Sequence, residues 1–236
     1  MRGLFVTGTD TGVGKTIVSA SLLAAMVSAG ERVRAHKPAV SGLDDAPEAS
    51  AGADGSWPAD HELLGAAAGM APEAVSPLRF GPAVSPHLAA QLAGEPIQPE
   101  LVLAQARAGS AGETLIVEGV GGLLVPLTES FTICDLAVQL ELPLVIAVRP
   151  GLGTINHTLL TLRVARDAGL DVRAVVLTPW PQQPTVLERS NRETIAHIGR
   201  IDVQTLRLIR SPAASELARA GDELPWQRWL DHAPPA

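Results

Sequence analysis

The chain has 236 residues, of which 46% are hydrophobic and 18% are charged. This length and composition exclude a largely disordered chain and suit one α/β domain over residues 1–236. The formal net charge of −7 argues against binding to nucleic acid or to an anionic membrane, because both require a concentration of basic residues. The sequence shows no export leader and no membrane-spanning run, and its single cysteine, Cys134, cannot form an internal disulfide. We therefore expect a soluble cytoplasmic protein.

The first predicted unit is a strand, a glycine-rich loop and a helix. Residues 4–7 are apolar, residues 8–16 contain three glycines, and residues 17–29 are rich in alanine, leucine and valine. Gly30 follows, in the position of a helix C-cap. A second strand is predicted over 32–40, and the loop 42–58, rich in glycine, serine, aspartate and proline, is expected to be mobile.

Strand and helix patterns alternate through the rest of the chain. Asp60 is the predicted N-cap of the next helix. The further predicted elements are short helices over 88–92 and 101–108, strands over 115–117, 144–148 and 172–177, and helices over 154–168 and 185–198. This alternation predicts an α/β fold with a doubly wound, mostly parallel sheet flanked by helices. The tail, 222–236, has no assignment.

The loop from Gly8 to Thr16 carries the strongest chemical signal. In a loop between a strand and a helix, backbone N–H groups and the helix N-terminus bind phosphates. Lys15 can reach the terminal phosphates, and the hydroxyl of Thr16 can ligate Mg²⁺. Five residues separate Gly8 from Gly14, one more than in the usual pattern. The loop therefore predicts a P-loop that binds a nucleoside triphosphate.

Lysine is scarce in this chain. Of the 18 basic residues, only Lys15 and Lys37 are lysines, and the others are arginines. Because an ammonium is compact and a guanidinium is a planar fork, the two lysines mark places where the fork does not fit. Lys37 ends the second predicted strand, at the edge where the P-loop lies. It is a candidate for neutralising charge on a transferring phosphoryl group.

Carboxylates are predicted at the same edge. Glu118 follows the strand 115–117 and is the expected partner of a phosphate-bound Mg²⁺, with glycines after it that let backbone approach the ligand. The residues alone leave the second carboxylate open among Asp44, Asp45, Asp54 and Asp60. The segment 152–157 is a glycine turn that leads into a helix. This turn is either a binding site for a carboxylate or only a structural turn. Cys134 is predicted to be a core residue.

Five segments together resemble dethiobiotin synthetases, the ATP-dependent ligases of biotin biosynthesis. Residues 7–16 are similar to that family's glycine loop, including the extra residue, and residues 36–42 to its Lys-Pro-x-x-Ser-Gly segment. The other three similar segments are 85–89 (Ser-Pro-His), 117–122 (Val-Glu-Gly-Val-Gly-Gly) and 152–157 (Leu-Gly-Thr-Ile-Asn-His). They occur in the family's order between residues 4 and 178.

The resemblance implies a role for each matching residue. The nucleotide-binding positions would be Gly12, Val13, Gly14, Lys15, Thr16, Ile17, Glu118, Gly119, Val120 and Gly121. The metal ligands for Mg²⁺ would be Thr16, Asp60 and Glu118. The catalytic residues around the reacting carbamate and γ-phosphate would be Thr11, Lys15, Lys37 and Ser41, and Ser41 would also bind substrate. The remaining substrate-binding positions, which hold a carboxylate from the neighbouring subunit of a homodimer, would be Gly153, Thr154, Ile155 and Asn156.

The implied reaction closes a ring on 7,8-diaminopelargonate with CO₂ or bicarbonate, at the expense of ATP. Where many members have an adenine-reading asparagine, this chain has Thr178 and Pro179 followed by Trp180 and Pro181, so other nucleoside triphosphates stay possible co-substrates. The alternative is a switch ATPase of the MinD and ParA kind, but the signature lysine of that group is replaced by Asp10. A second alternative is a cobyrinate-type amidotransferase, which would need a glutaminase domain with an activated cysteine. We do not expect this activity, because the 236 residues leave no room for that domain and nothing near Cys134 in the sequence would activate its thiol.

Overall fold

A six-stranded sheet lies at the centre of the computed structural model, which describes residues 1–44, 57–109 and 112–231. In chain order the strands are β1 (Gly3–Gly8), β2 (Val33–His36), β3 (Thr114–Gly122), β4 (Pro126–Thr128), β5 (Phe131–Thr132), β6 (Leu144–Val148), β7 (Val172–Trp180) and β8 (Asp202–Arg207). The sheet order is β2-β3-β1-β6-β7-β8, and every neighbouring pair is parallel. The short strands β4 and β5 form a separate antiparallel pair.

Helices cover both faces of this sheet. They are α1 (Lys15–Ser28), α2 (Asp60–Ala68), α3 (Pro72–Val75), α4 (Pro86–Ala93), α5 (Pro99–Arg107), α6 (Ile133–Leu140), α7 (Thr154–Asp167), α8 (Val186–Gly199), α9 (Ala214–Gly221) and α10 (Trp226–Leu230). Successive strand residues point to opposite faces, and in β1 Phe5 joins a core with α4 to α8 while Leu4 and Val6 join a core with α1, α2, α9 and α10. The predicted doubly wound α/β fold is confirmed.

Several predicted element boundaries need correction. Strand β2 ends at His36 rather than at residue 40, and β3 continues past Val117 to Gly122. Asp60 is the first residue of α2, and its predicted place as N-cap is wrong because Ala59 holds that position. Neither α6 nor β8 was predicted from the sequence, since short amphipathic segments give weak periodic signals.

The C-terminal segment packs against the core. Trp226 and Trp229 on α10 are each 3% exposed or less, in the same apolar cluster as α1 and α9. Cys134 is buried, as predicted. Most of the predicted mobile loop, namely residues 45–56, lies outside the described residues, as do the last five residues. Among the helices of residues 1–44, 57–109 and 112–231, none is long and apolar enough to cross a membrane.

The burial of His36 in β2 predicts a pH-dependent stability. Its side chain is 1% exposed, and burial together with the nearby positive charge of Arg34 lowers its pKa to about 3. In the unfolded chain the histidine pKa is about 6.5, so below that pH the unfolded state binds a proton that the folded state does not. Stability therefore falls with falling pH, and this residue alone costs about 2 kcal/mol between pH 7 and pH 5.

Urea unfolding at pH 7, 6 and 5 measures this effect. His36→Gln should flatten the loss of unfolding free energy relative to the unchanged protein, whatever its stability at pH 7. His197→Gln, which alters an exposed histidine near the end of α8, is the matched control and should keep the original slope. Equal slopes for the unchanged protein and His36→Gln would contradict the prediction.

Candidate functional site

The glycine loop follows β1, which lies between β3 and β6 in the middle of the sheet. Gly14 is the N-cap of α1 and has a φ of 96°, a left-handed conformation that favours glycine. A Cβ atom at Gly14 would lie 2.7 Å from Cγ2 of Thr178, so the end of β7 packs directly against this residue. Val13 is buried and Ile17 is half-buried, and both side chains pack against the core.

Lys15 is buried within the loop that precedes it. Its side chain is 6% exposed, and its Nζ donates a hydrogen bond of 2.8 Å to the backbone oxygen of Asp10. Burial lowers the pKa of Lys15 to about 8, and the positive charge of Lys37 contributes to the shift. The negative charges of Glu118, Asp60 and Asp10 offset this shift only in part, and a phosphate anion would supply a direct partner.

Four side chains meet at the end of the loop, and we call them the charge cluster: Thr16 of α1, Lys37 just after β2, Asp60 of α2 and Glu118 of β3. Oγ1 of Thr16 donates to Asp60 Oδ1 at 2.8 Å or to Glu118 Oε1 at 2.9 Å. Nζ of Lys37 lies 2.5 Å from Glu118 Oε1 and 2.8 Å from Asp60 Oδ2. The structure therefore joins Asp60, out of the open set of aspartates, to the other predicted metal ligands.

The charge cluster is largely withdrawn from water. Glu118 is fully buried and Lys37 is 2% exposed, whereas the side chain of Asp60 is about half exposed. Burial by itself favours the neutral form of Lys37, but Asp60 and Glu118 outweigh burial and raise its pKa. Protein atoms around the inner part of the Asp60 carboxyl also oppose its ionisation, but the charge and hydrogen bond of Lys37 outweigh this desolvation and lower the pKa of Asp60. The cluster thus holds its charges by mutual neutralisation.

The cluster also has free capacity to bind a cation. Oε2 of Glu118 is buried and has no hydrogen-bond partner among the described residues, although buried carboxylate oxygens normally have one. Within the described part of the chain no group of three or more His, Cys, Asp or Glu side chains could hold a metal ion. A divalent ion here would therefore rely on two carboxylates, the Thr16 hydroxyl and oxygens of a ligand, which is the donor set typical of Mg²⁺ with a nucleotide.

The contacts of the other predicted residues are with different parts of the described chain. Oγ of Ser41 donates to the backbone oxygen of Val84 at 2.7 Å, next to Ser85, which pairs with Nδ1 of His87 at 3.0 Å. Thr11 is exposed in the glycine loop, and its Oγ1 would be 3.6 Å from a Cβ atom at Gly121. Among the rival aspartates, Asp44 is exposed, and residues 45 and 54 lie outside the described residues.

The rest of the 118–122 segment and the α7 turn complete the set of predicted residues. Gly119 packs so closely on Ile133 that a Cβ atom there would lie 2.9 Å from its Cγ2, and Val120 is half-buried. Gly153 is the N-cap of α7 with a φ of 91°. The next three positions differ in exposure: Thr154 is buried, Ile155 is half-buried and Asn156 is exposed.

Two residues to which the sequence analysis gave no role contact the glycine loop and the turn before α7. The guanidinium of Arg149 donates to the backbone oxygens of Gly12 and Thr11, at 3.1 to 3.4 Å. The side-chain amide of Asn191 donates to the backbone oxygens of Pro150 and Gly151. A charged residue directly after a buried strand was the available signal for Arg149, whereas nothing in the local sequence marks Asn191.

Comparisons with known proteins identify the family of this chain. A protein-family profile described as an AAA domain matches residues 2–206. The ATP-dependent dethiobiotin synthetase BioD of Anaeromyxobacter sp. strain Fw109-5 is 40% identical to this chain, and the match covers 92% of this chain and 99% of the relative. The proteins of the same name from Mycobacterium sp. strain KMS and Bacillus subtilis strain 168 are 38% and 35% identical, each over 84% of this chain and 84% and 83% of the relative.

A solved ParA family ATPase from Chlorobium tepidum TLS is similar over 94% of this chain and 90% of its own, with a TM-score of 0.49 and 14% identity. The family assignment depends instead on the sequence relatives, which align over most of both chains. They confirm the resemblance that the five sequence segments indicated. On this evidence the chain belongs to the ATP-dependent dethiobiotin synthetases.

Proposed function

We propose that the chain converts 7,8-diaminopelargonate, CO₂ and ATP into dethiobiotin, ADP and phosphate. The observation that carries this proposal is the convergence of the charge cluster and Lys15 at the carboxyl edge of the sheet. Two ammonium groups and two carboxylates there are suited to a reaction between two anions, a carbamate and a triphosphate. The proposed enzyme is a cytoplasmic homodimer in which each chain forms one domain.

The proposed chemistry has three steps. An amine of the substrate attacks CO₂ and loses a proton, which gives a carbamate. A carbamate oxygen then attacks the γ-phosphorus, and ADP leaves, which gives a carbamic-phosphoric anhydride. The second amine attacks the carbonyl carbon of this anhydride and expels phosphate, which closes the ring. Because the two anions repel each other, the protein's contribution is to align them and to neutralise their charge.

Each predicted residue has a place in these steps. Lys15, held over the loop, would contact the terminal phosphates, and Lys37 would compensate charge at the carbamate and the transferring phosphoryl group. Thr11 and Ser41 would position the carbamate and the reacting amine. The positions proposed to contact the nucleotide are the backbone of Gly12, Val13, Gly14, Lys15, Thr16 and Ile17, with Glu118, Gly119, Val120 and Gly121 on the facing strand.

The residues of the charge cluster fit Mg²⁺. Thr16, Asp60 and Glu118 would hold it, and the partnerless Oε2 of Glu118 supports this assignment. When bound, the ion would offset negative charge on the β- and γ-phosphate oxygens. In the structure Lys37 contacts both carboxylates, so its ammonium occupies the position of a counter-cation between them.

The N-terminus of α7 is the proposed binding site of the substrate carboxylate. The residues concerned are Gly153, Thr154, Ile155 and Asn156, and they would serve the site of the neighbouring subunit. A helix N-terminus presents unpaired N–H groups and a partial positive charge, which suit a carboxylate. Adenine readout needs a source other than an asparagine near the end of β7, because Thr178 and Pro179 stand there.

Phosphate release by the purified protein tests the proposed reaction. With Mg²⁺ and ATP, release should require both the diamine and bicarbonate, and the product should be heavier than the diamine by one CO₂ and lighter by one water. Parallel reactions with CTP and GTP measure the nucleobase preference. Release that is indifferent to the diamine would overturn the ligase assignment and favour a switch ATPase.

Lys37→Gln tests the proposed role of Lys37. Loss of its charge should reduce kcat by about 100-fold or more, as for other removed transition-state donors, and should leave ATP affinity within a few-fold of the original. Steady-state kinetics and calorimetric titration with ATP measure the two quantities, and circular dichroism checks that the variant folds. Lys37→Arg is the matched variant, because it keeps the charge but places a larger fork between the carboxylates. Normal turnover by Lys37→Gln would contradict the role.

A further inference from the structure

We propose that Lys37 also determines when a divalent cation binds to the charge cluster. Its ammonium is shared between Asp60 and Glu118, and it keeps the affinity of these carboxylates for a free ion low, so that the ion binds together with the triphosphate. The inference rests on the proposed function for the identity of the ion, Mg²⁺, and of the nucleotide. It gives Lys37 a second role, which precedes its proposed contact with the carbamate and the transferring phosphoryl group.

The first observation is that the proposed metal ligands already share one cation. Nζ of Lys37 lies 2.5 Å from Glu118 Oε1 and 2.8 Å from Asp60 Oδ2, and the hydroxyl of Thr16 lies 2.8 to 2.9 Å from the same two carboxylates. An ammonium donates hydrogen bonds and accepts none, so Lys37 cannot itself ligate an ion. A divalent ion must therefore compete with Lys37 for the negative charge of both carboxylates.

The second observation is the burial of these charges. Glu118 is fully buried and Lys37 is 2% exposed, so water and salt screen the repulsion between the ammonium and an added cation only weakly. One ammonium between two carboxylates leaves a single negative charge to attract a divalent ion. Because Mg²⁺ gives up its water reluctantly, this residual charge makes the cluster a weak site for the free ion.

A triphosphate would change this balance of charge. The glycine loop runs directly into the first turn of α1, which contains Thr16, so phosphates bound to the loop would lie beside the charge cluster. They would add oxygen ligands for the ion and negative charge for Lys37. Ion and nucleotide would then raise each other's affinity by the same factor, and the protein would bind the complex of the two rather than the ion first.

Binding of Mn²⁺, which replaces Mg²⁺ and is visible by electron paramagnetic resonance, tests this role without turnover. In the absence of nucleotide, Lys37→Gln should bind Mn²⁺ about tenfold more tightly than the unchanged protein, because the competing charge is gone. With a nonhydrolysable ATP analogue present, the two proteins should differ in Mn²⁺ affinity by less than about threefold. If Lys37 served only to contact phosphate, the variant would bind the free ion no more tightly than the unchanged protein.

Two further variants control for other causes of tighter binding. Arg149→Gln removes one positive charge from an exposed arginine that contacts the backbone of the glycine loop, and it should change the Mn²⁺ dissociation constant by less than about twofold. The double variant Lys37→Gln with Glu118→Gln removes the ammonium together with its buried partner. The gain in Mn²⁺ affinity should vanish in this double variant, because the ion then lacks the carboxylate that Lys37 had neutralised.

Thermal unfolding gives a second measurement of the same competition. Lys37→Gln leaves the buried carboxylate of Glu118 without its cation, which should lower the thermal midpoint. Because a bound ion would compensate that carboxylate, Mg²⁺ without nucleotide should raise the midpoint of the variant by about 5 °C. The same concentration of Mg²⁺ should raise the midpoint of the unchanged protein by less than about 1 °C.

Three results would overturn the proposal. They are an unchanged Mn²⁺ affinity in Lys37→Gln, an equal gain in Arg149→Gln, and a Lys37→Gln protein that Mg²⁺ fails to stabilise, including one that stays unfolded with the ion present. Failure of the unchanged protein to make a ring-closed product would reject the proposed function instead. The Mn²⁺ titrations would still decide the role of Lys37 in that case, because they need neither the diamine nor turnover.

Discussion

The contact between Lys37 and Glu118 is the constraint on which the site depends. A fully buried carboxylate is costly unless a cation and hydrogen bonds compensate it, and here the ammonium lies 2.5 Å away. The sheet sets this contact, because β2 and β3 are parallel neighbours with His36 opposite Val117. The residues that follow this pair are Lys37 and Glu118. A shift of register would therefore separate the two charges and leave both buried without compensation.

The order of the strands extends this constraint to the whole site. β1 lies between β3 and β6, with Val6 opposite Glu118 and Gly8 opposite Ala147. The segments that leave β1, β3 and β6 therefore emerge side by side, and ligands of open α/β sheets bind where neighbouring connections diverge in this way. The glycine loop, the charge cluster and the turn before α7 are brought together by strand pairing, although Glu118 and Arg149 lie 102 and 137 residues from the loop residues that they contact.

The sequence predicted this arrangement where the chemistry is local. Buried parallel strands give continuous apolar runs, and the loop around Lys15 joins a strand to a helix, so the fold class and the phosphate side of the site could be predicted. Asp60 could be chosen from the aspartates only through a resemblance, because a long loop does not reveal which carboxylate reaches the metal ligands. The contacts of Arg149 and Asn191 could not be predicted, although Arg149 directly follows a buried strand, since each donates to backbone oxygens of a segment that only the tertiary structure brings near.

The scarcity of lysine has a physical explanation in this geometry. Nζ of Lys37 lies within 2.8 Å of both carboxylates in a space that is 2% exposed, and Nζ of Lys15 contacts a backbone oxygen of its own loop. A guanidinium is wider and donates in one plane, so it suits the two adjacent carbonyls that Arg149 contacts at the exposed rim. An ammonium suits a confined point between charges. At this site arginine binds backbone at the exposed rim and lysine lies where the cation must fit inside, so the two lysines mark the interior of the site.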